Sequence, residues 1–170
     1  KMGEIKTEVI LKMNQKKYRQ AIFSLVYAIT DGKPKYVILE RKKHWKGWEF
    51  TKGKIEDGES KLSAVKRETK EETGLKAQKV KKFHVKGLYR YKKKLKDRPG
   101  IFGQTYTLYA TLVKKGNGKI KVDPREHYKG RWASYEEAYK MLTWKDQKKS
   151  LRIVDSWLRY ENRKGIKKGF

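Results

Sequence analysis

The sequence contains no cysteine, which excludes disulfide cross-links, thiolate chemistry and cysteine-ligated zinc. Proline is scarce, three residues in 170, and no repeat or low-complexity linker divides the chain. No apolar run approaches the length of a membrane span, and the N-terminal region lacks the apolar segment of a signal peptide. These absences predict a soluble, cytoplasmic protein with no membrane partner. Negative charge is the last shortage: 19 acids face 46 Lys and Arg, a formal net charge of +27. Such a field attracts polyanions, whether nucleic acid, nucleotides with several phosphates or an anionic surface. A lysine-rich, heat-adapted surface would carry the same charge.

Hydrophobic residues make up only 36% of the chain, yet five Trp and eleven Tyr lie among alternating apolar runs. That is more core material than a disordered chain carries. The length suits one ordinary domain, so residues 1–170 are expected to form a single unit.

Strand-like runs occur at 21–30 and 36–40, joined by Asp31, Gly32, Lys33 and Pro34, with a short edge strand expected at 9–11. The block 47–50 leads into a glycine-containing loop. Residues 60–73 read as a helix, with Leu62, Val65 and Thr69 on one stripe and Gly74 placed to end it in a left-handed cap. Further strands are expected at 79–91, 104–113 and 119–122, with 115–119 as a tight hairpin turn. Ser134 and Glu137 form a capping box that opens a helix to about Leu142. A final helix over about 145–162 carries Leu151, Val154 and Leu158 as its buried stripe. Strands mixed with few helices imply an α/β or α+β layered domain.

The sharpest chemical signal lies in residues 53–75. A helix there places Glu68, Glu71 and Glu72 at i, i+3 and i+4, so three carboxylates crowd one face beside Arg67. Acids packed in this way repel one another, and oxygen-rich clusters suit hard divalent cations, magnesium above all. Gly53 and Gly58 in the preceding loop let backbone approach a metal or phosphate closely.

This segment resembles the Nudix box, G-x5-E-x7-R-E-U-x-E-E-x-G-U, with U a bulky aliphatic. Gly53, Glu59, Arg67, Glu68, Glu71, Glu72 and Gly74 fill its seven fixed positions, and Leu75 fills the last U. Thr69 stands where an aliphatic is usual. "WEFTKG" at 48–53 resembles the W-x-F-P-K-G lead-in of the branch that contains diadenosine tetraphosphate hydrolases and RNA 5′-pyrophosphohydrolases, with Thr51 in place of proline. Residues 126–138 resemble that branch's E-x4-R-W-x-S-x-E-E-A stretch, and "LTWKDQKKSLR" resembles the closing helix of many dinucleoside polyphosphate hydrolases.

The resemblance implies an α/β/α sandwich around a mixed sheet, with the box as loop, helix and loop. It also implies a magnesium-dependent hydrolase, with manganese as a substitute. Gly53, through its carbonyl, and Glu68, Glu71 and Glu72 would hold the metal. Arg67 and Glu59 would orient the loop and helix, and Glu126 matches an extra loop acid that serves as a further ligand or general base. Lys52, Lys54 and Arg41 are candidates for phosphate contacts, and Tyr91 and Tyr106 for stacking on a base. The three histidines, His44, His84 and His127, share no metal-ligand spacing and read as ordinary polar residues.

The expected substrate is a small nucleoside polyphosphate, foremost diadenosine tetraphosphate cut to ATP and AMP. The alternative is removal of pyrophosphate from 5′-triphosphorylated RNA, which the basic charge favours. A non-catalytic nucleotide- or RNA-binding module is the reading of another class. The acid set argues against it, since a pure binder gains nothing from three repelling carboxylates.

Overall fold

A computed structural model of the chain describes residues 17–116 and 118–168; the strand expected at 9–11 lies outside them. Among the described residues seven strands form one mixed sheet. They are β1 (Tyr18–Thr30), β2 (Lys33–Arg41), β3 (Gly47–Glu49), β4 (Thr51–Lys54), β5 (Ala77–Arg90), β6 (Gly103–Val113) and β7 (His127–Ala133). Three helices accompany them: α1 (Lys61–Thr73), α2 (Tyr135–Met141) and α3 (Lys145–Lys168). None is long and apolar enough to cross a membrane.

β1 is the organising strand. It runs parallel to β6, while its other edge is shared: residues 27–30 pair with β2 and residues 21–24 with β4, both antiparallel. β2 in turn pairs with β3 through Leu39, Glu40 and Arg41. The short β3–β4 segment is therefore wedged between β1 and β2, and this split in the sheet houses the site. Asp31 and Gly32, both at positive φ, close β1 onto β2 with Thr30 opposite Lys33. That is the two-residue turn for which an Asp-Gly pair is suited.

Side chains alternate across β1. Phe23, Leu25 and Tyr27 join the main core with Leu151 and Val154 of α3, whereas Ile22 packs with Ala64 and Val65 of α1. The helices therefore cover opposite faces, and the α/β/α sandwich is what forms. Thr69 is buried in the α1 layer, its hydroxyl 3.4 Å from that of Ser24, which lies 2.7 Å from the hydroxyl of Thr111. The buried Thr69 hydroxyl thus has a polar neighbour in the Ser24–Thr111 pair.

Several expectations need correction. Leu62 is 47% exposed: the residues that α1 buries are Ala64, Val65, Thr69, Glu72 and Thr73, so its covered face begins only at Ala64. Residues 119–122 form no strand. They cross from β6 towards β7, with the Lys121 N–H donating to the Thr73 carbonyl at 2.9 Å and Ile120 and Val122 packed over Val26 and Val37. The 115–119 turn, closed by Gly118 N–H to Lys115 O at 2.9 Å, is thus no hairpin. Gly53 sits in β4 rather than in a loop. β7 was not anticipated, since its alternation is masked by Lys129, Gly130 and Arg131. The last helix continues past residue 162 to Lys168.

Candidate active site

Local sequence places the acids. Ser60 caps α1 by accepting the Ser63 N–H at 3.1 Å, and Gly74, at φ 73°, ends it with its N–H on the Lys70 carbonyl at 2.9 Å. Such caps satisfy the free ends of a helix. Between them Glu68 and Glu72 turn inward and Glu71 remains about half exposed. β4 passes so close that a Cβ at Gly53 would run into the Glu68 carboxyl and displace it from its place beside Arg67.

Arg67 ties this element together. Its guanidinium donates to both Glu59 carboxylate oxygens at 2.8 and 2.9 Å, to the Lys54 carbonyl at 2.9 Å, to Glu68 at 2.7 Å and to Glu71 at 3.2 Å. Its hydrogen bonds hold the Glu59 carboxyl down at about 2, and the guanidinium is itself raised by that partner. Glu59 stands behind Arg67, which fits an orienting role.

Glu126 arrives from a distant part of the chain. Its carbonyl accepts the Lys42 and Lys43 N–H groups at 2.9 and 3.3 Å, which pins the residue at the head of β7. Its carboxylate receives Arg41 Nη1 at 3.3 Å. Glu72, Glu126 and His127 each offer a ligand atom within 4.8 Å of the others.

Beneath them lies a network that sequence reading missed. Glu49 is fully buried, and its Oε1 accepts Arg41 Nη1 at 3.2 Å and pairs with His127 Nε2 at 2.8 Å. Its Oε2 lies 3.0 Å from Lys52 Nζ, an ion pair rather than an aligned hydrogen bond. Burial alone would raise the Glu49 carboxyl, but Lys52, His127 and Arg41 together bring it to about 2. Burial is the largest single influence on Lys52 and Arg41 and disfavours both charges, but Glu49 with Tyr89 at Lys52, and Glu49 with Glu126 and Glu72 at Arg41, together outweigh it, so both are raised. Lys52 was expected to meet phosphates; its charge is instead held by Glu49, and its ammonium sits over the Trp45 and Tyr89 rings. The only sequence trace of this network is the three-residue spacing of Glu49 and Lys52.

Glu72 lacks such compensation. Burial and the carboxylates of Glu68, Glu49 and Glu126 raise it well above the usual range. Glu68, partly buried, is pushed up to about 7 by that burial, against the pull of Arg67. More buried carboxylates converge here than the neighbouring cations neutralise. Together with the close approach of Gly53, this donor set fits a hard divalent cation.

These acids line a cavity of about 850 Å³. Arg41, Lys52, Gly53, Lys54 and Tyr91 also line it, so most of the expected residues do converge. Tyr106 does not: its ring stacks on Phe23, with centroids 3.8 Å apart, inside the core. Aromatic and cationic side chains line the same cavity. Trp45 meets Trp144 edge to face at 5.1 Å, and the Lys92 ammonium sits 5.0 Å above the Trp144 ring.

The NUDIX domain family matches residues 19–154, and the chain belongs to that family. It is accordingly an enzyme, a hydrolase of pyrophosphate bonds in nucleotide derivatives, of a kind that generally uses divalent metal. No curated protein matches by sequence. Among solved structures, a Caenorhabditis elegans Ap4A hydrolase in a binary complex superposes with a TM-score of 0.68 at 20% identity, over 83% of this chain and 98% of that one. The Escherichia coli dihydroneopterin triphosphate pyrophosphohydrolase gives 0.63 at 20% identity, over 80% and 95%. The NUDIX domain of Shewanella oneidensis NrtR complexed with ADP ribose gives 0.65 at 13% identity, over 89% and 97%. At these identities the likeness is one of fold.

Proposed function

We propose that this chain hydrolyses a dinucleoside polyphosphate, with diadenosine tetraphosphate yielding ATP and AMP, and uses magnesium to do so. The observation that carries the reading is a single cavity lined both by the buried, raised Glu72 with its neighbouring acids and by Trp, Tyr and Lys side chains. The acids suit a cation bridging phosphates, and the aromatic and cationic side chains suit a nucleoside and the phosphate chain that carries it. The similar nematode structure is an Ap4A hydrolase, which supports the same substrate class.

Glu68, Glu71 and Glu72, with the Gly53 carbonyl, would hold the metal. When bound, it supplies Lewis-acid polarisation of the phosphate and activation of the attacking water. Glu126, partly exposed and steered by Arg41, is placed to serve as a further ligand or to accept the water's proton. Arg67, locked by Glu59, keeps α1 and β4 in register. Lys54 lines the cavity and is available to the phosphates.

A second reading, action on 5′-triphosphorylated RNA, draws on β5. This strand has no acid, and Lys82, His84, Lys86 and Arg90 are all exposed along it. Burial, with Lys86 and Lys82 close by, lowers the Lys61 pKa, so these cations form one patch. Arg90 carries the strand into the cavity wall.

The deciding experiment compares kcat/KM for diadenosine tetraphosphate, 5′-triphosphorylated RNA, ADP-ribose and nucleoside triphosphates, with magnesium constant and salt at physiological strength. Diadenosine tetraphosphate is expected to lead. RNA ahead by tenfold or more, about 1.4 kcal/mol of transition-state preference, would replace the first reading by the second.

A further inference from the structure

Arg19 on β1 and Arg98 in the loop between β5 and β6 both line the cavity, and neither has a hydrogen bond or ion pair to the α1 acids among the described residues. Arg98 Nη1 makes neutral contacts: it donates to the Tyr91 hydroxyl at 2.7 Å and to Gln104 Oε1 at 3.3 Å. The Tyr91 hydroxyl itself donates to Gln104 Oε1 at 2.8 Å. Arg19 Nε is buried and has no hydrogen-bond partner among the described residues. Both guanidiniums engage the Tyr91 side chain, and burial together with the nearby Arg98 charge lowers the Arg19 pKa against that contact. The adjacent Asp97 is engaged elsewhere, by His44 Nε2 at 3.1 Å and Lys43 Nζ at 3.6 Å.

Two guanidiniums held together without a carboxylate between them repel, and the arrangement costs free energy until an anion joins it. Guanidinium groups match phosphate oxygens in a planar fork. The wall that holds them is stiff: Tyr91 N–H donates to Phe102 O at 2.8 Å, Ile101 N–H to Arg98 O at 3.2 Å, and the Asp97–His44 contact ties the loop to the one after β2. A pre-positioned pair of this sort spares the ligand an ordering cost.

We propose that Arg19 and Arg98 form a second phosphate-binding subsite, which takes a phosphate group of the substrate remote from the one attacked beside the α1 acids. The inference rests on the proposed function only in assigning that phosphate to a substrate. The group belongs either to the far part of a polyphosphate chain or to the first phosphodiester of an RNA 5′ end. A substrate with just two phosphates has nothing left to place there.

The test uses the full chain and the variants Arg19→Gln and Arg98→Gln, with kcat/KM measured for diadenosine tetraphosphate, 5′-triphosphorylated RNA and ADP-ribose. Each variant is expected to lose at least tenfold more on a long substrate than on ADP-ribose, mainly through KM. Arg98→Lys, which keeps the charge but not the fork, is expected to recover part of the loss. A selective loss on the tetraphosphate places the polyphosphate chain in the subsite, and a selective loss on RNA places the phosphodiester there. Equal losses on all three substrates, or none, would overturn the subsite. Calorimetry of inorganic pyrophosphate binding to metal-free protein separates this from the functional reading. If the wild type turns over none of the three, that reading fails, while binding weakened at least threefold in both glutamine variants sustains the subsite. Unweakened binding removes it.

Discussion

Glu49 and Glu72 are both buried glutamates, close enough to influence each other, and their conditions are opposite. Glu49 is met by Lys52, Arg41 and His127, and its carboxyl falls to about 2. Glu72 is only 3% exposed, accepts a single backbone N–H from Lys52 at 3.3 Å, and faces Glu68, Glu49 and Glu126, so it is raised. Burial acts on both in the same direction; the partners decide the outcome. A buried carboxylate with its own cations is a finished part of the fold. One without them holds a proton or takes a cation from outside, and in a nucleotide pyrophosphate hydrolase that is where the metal would sit.

The comparison breaks first in turnover. Glu72→Gln is expected to lower kcat on the order of 10⁴-fold, about 5 kcal/mol, while the metal-free variant melts slightly above wild type because one repelling charge is gone. Stopped assays with magnesium and thermal melts in chelator read both; wild-type turnover in this variant would sink the assignment of Glu72 to the metal.

Glu49→Gln should do the reverse, and chiefly to stability. It strands Lys52 as a buried charge and leaves Arg41 paired with Glu126 alone among the described residues, a loss of about 3 kcal/mol by denaturant titration. Adding Lys52→Met is expected to recover part of it, since the orphaned ammonium is removed. A single variant as stable as wild type would mean that Glu49 is not what holds those cations.

The smallest effect is a pH slope in the metal-free protein. Glu68 is pushed up to about 7 and Glu72 is raised as well, so the folded state keeps protons that the unfolded chain has released. Where the folded state binds more protons, stability falls as pH rises. Tm in chelator is therefore expected to drop by a few degrees, roughly 2–5 °C, between about pH 5 and pH 8. Magnesium should raise Tm more at the upper end, because it binds the deprotonated carboxylates. A Tm that climbs over this window without metal would contradict the uncompensated acids.

The helix α1 was readable from the chain because its information is local. Ser60, Gly74 and the three- and four-residue spacing of Glu68, Glu71 and Glu72 specify a capped helix with one acidic face, whatever surrounds it. The close approach that demands glycine at 53 was legible as a motif position, though not as a strand residue against the Glu68 carboxyl. Tertiary structure decided the rest. Which glutamate is exposed and which buried depends on where β4 crosses the helix. Glu126 reaches Glu72 because β7 pairs with β2 in a register that shifts between Glu40 and Arg41. Glu49, His127 and Arg41 meet because β3 is wedged into the split between β1 and β2. Tyr106, a plausible base-stacking residue by type, is stacked on Phe23 because β6 runs parallel to β1 and sets Ala21 opposite it. Spacing within one helix is determined by backbone geometry over a few residues. Convergence across 50 or more positions is determined by strand pairing, whose register no local pattern records.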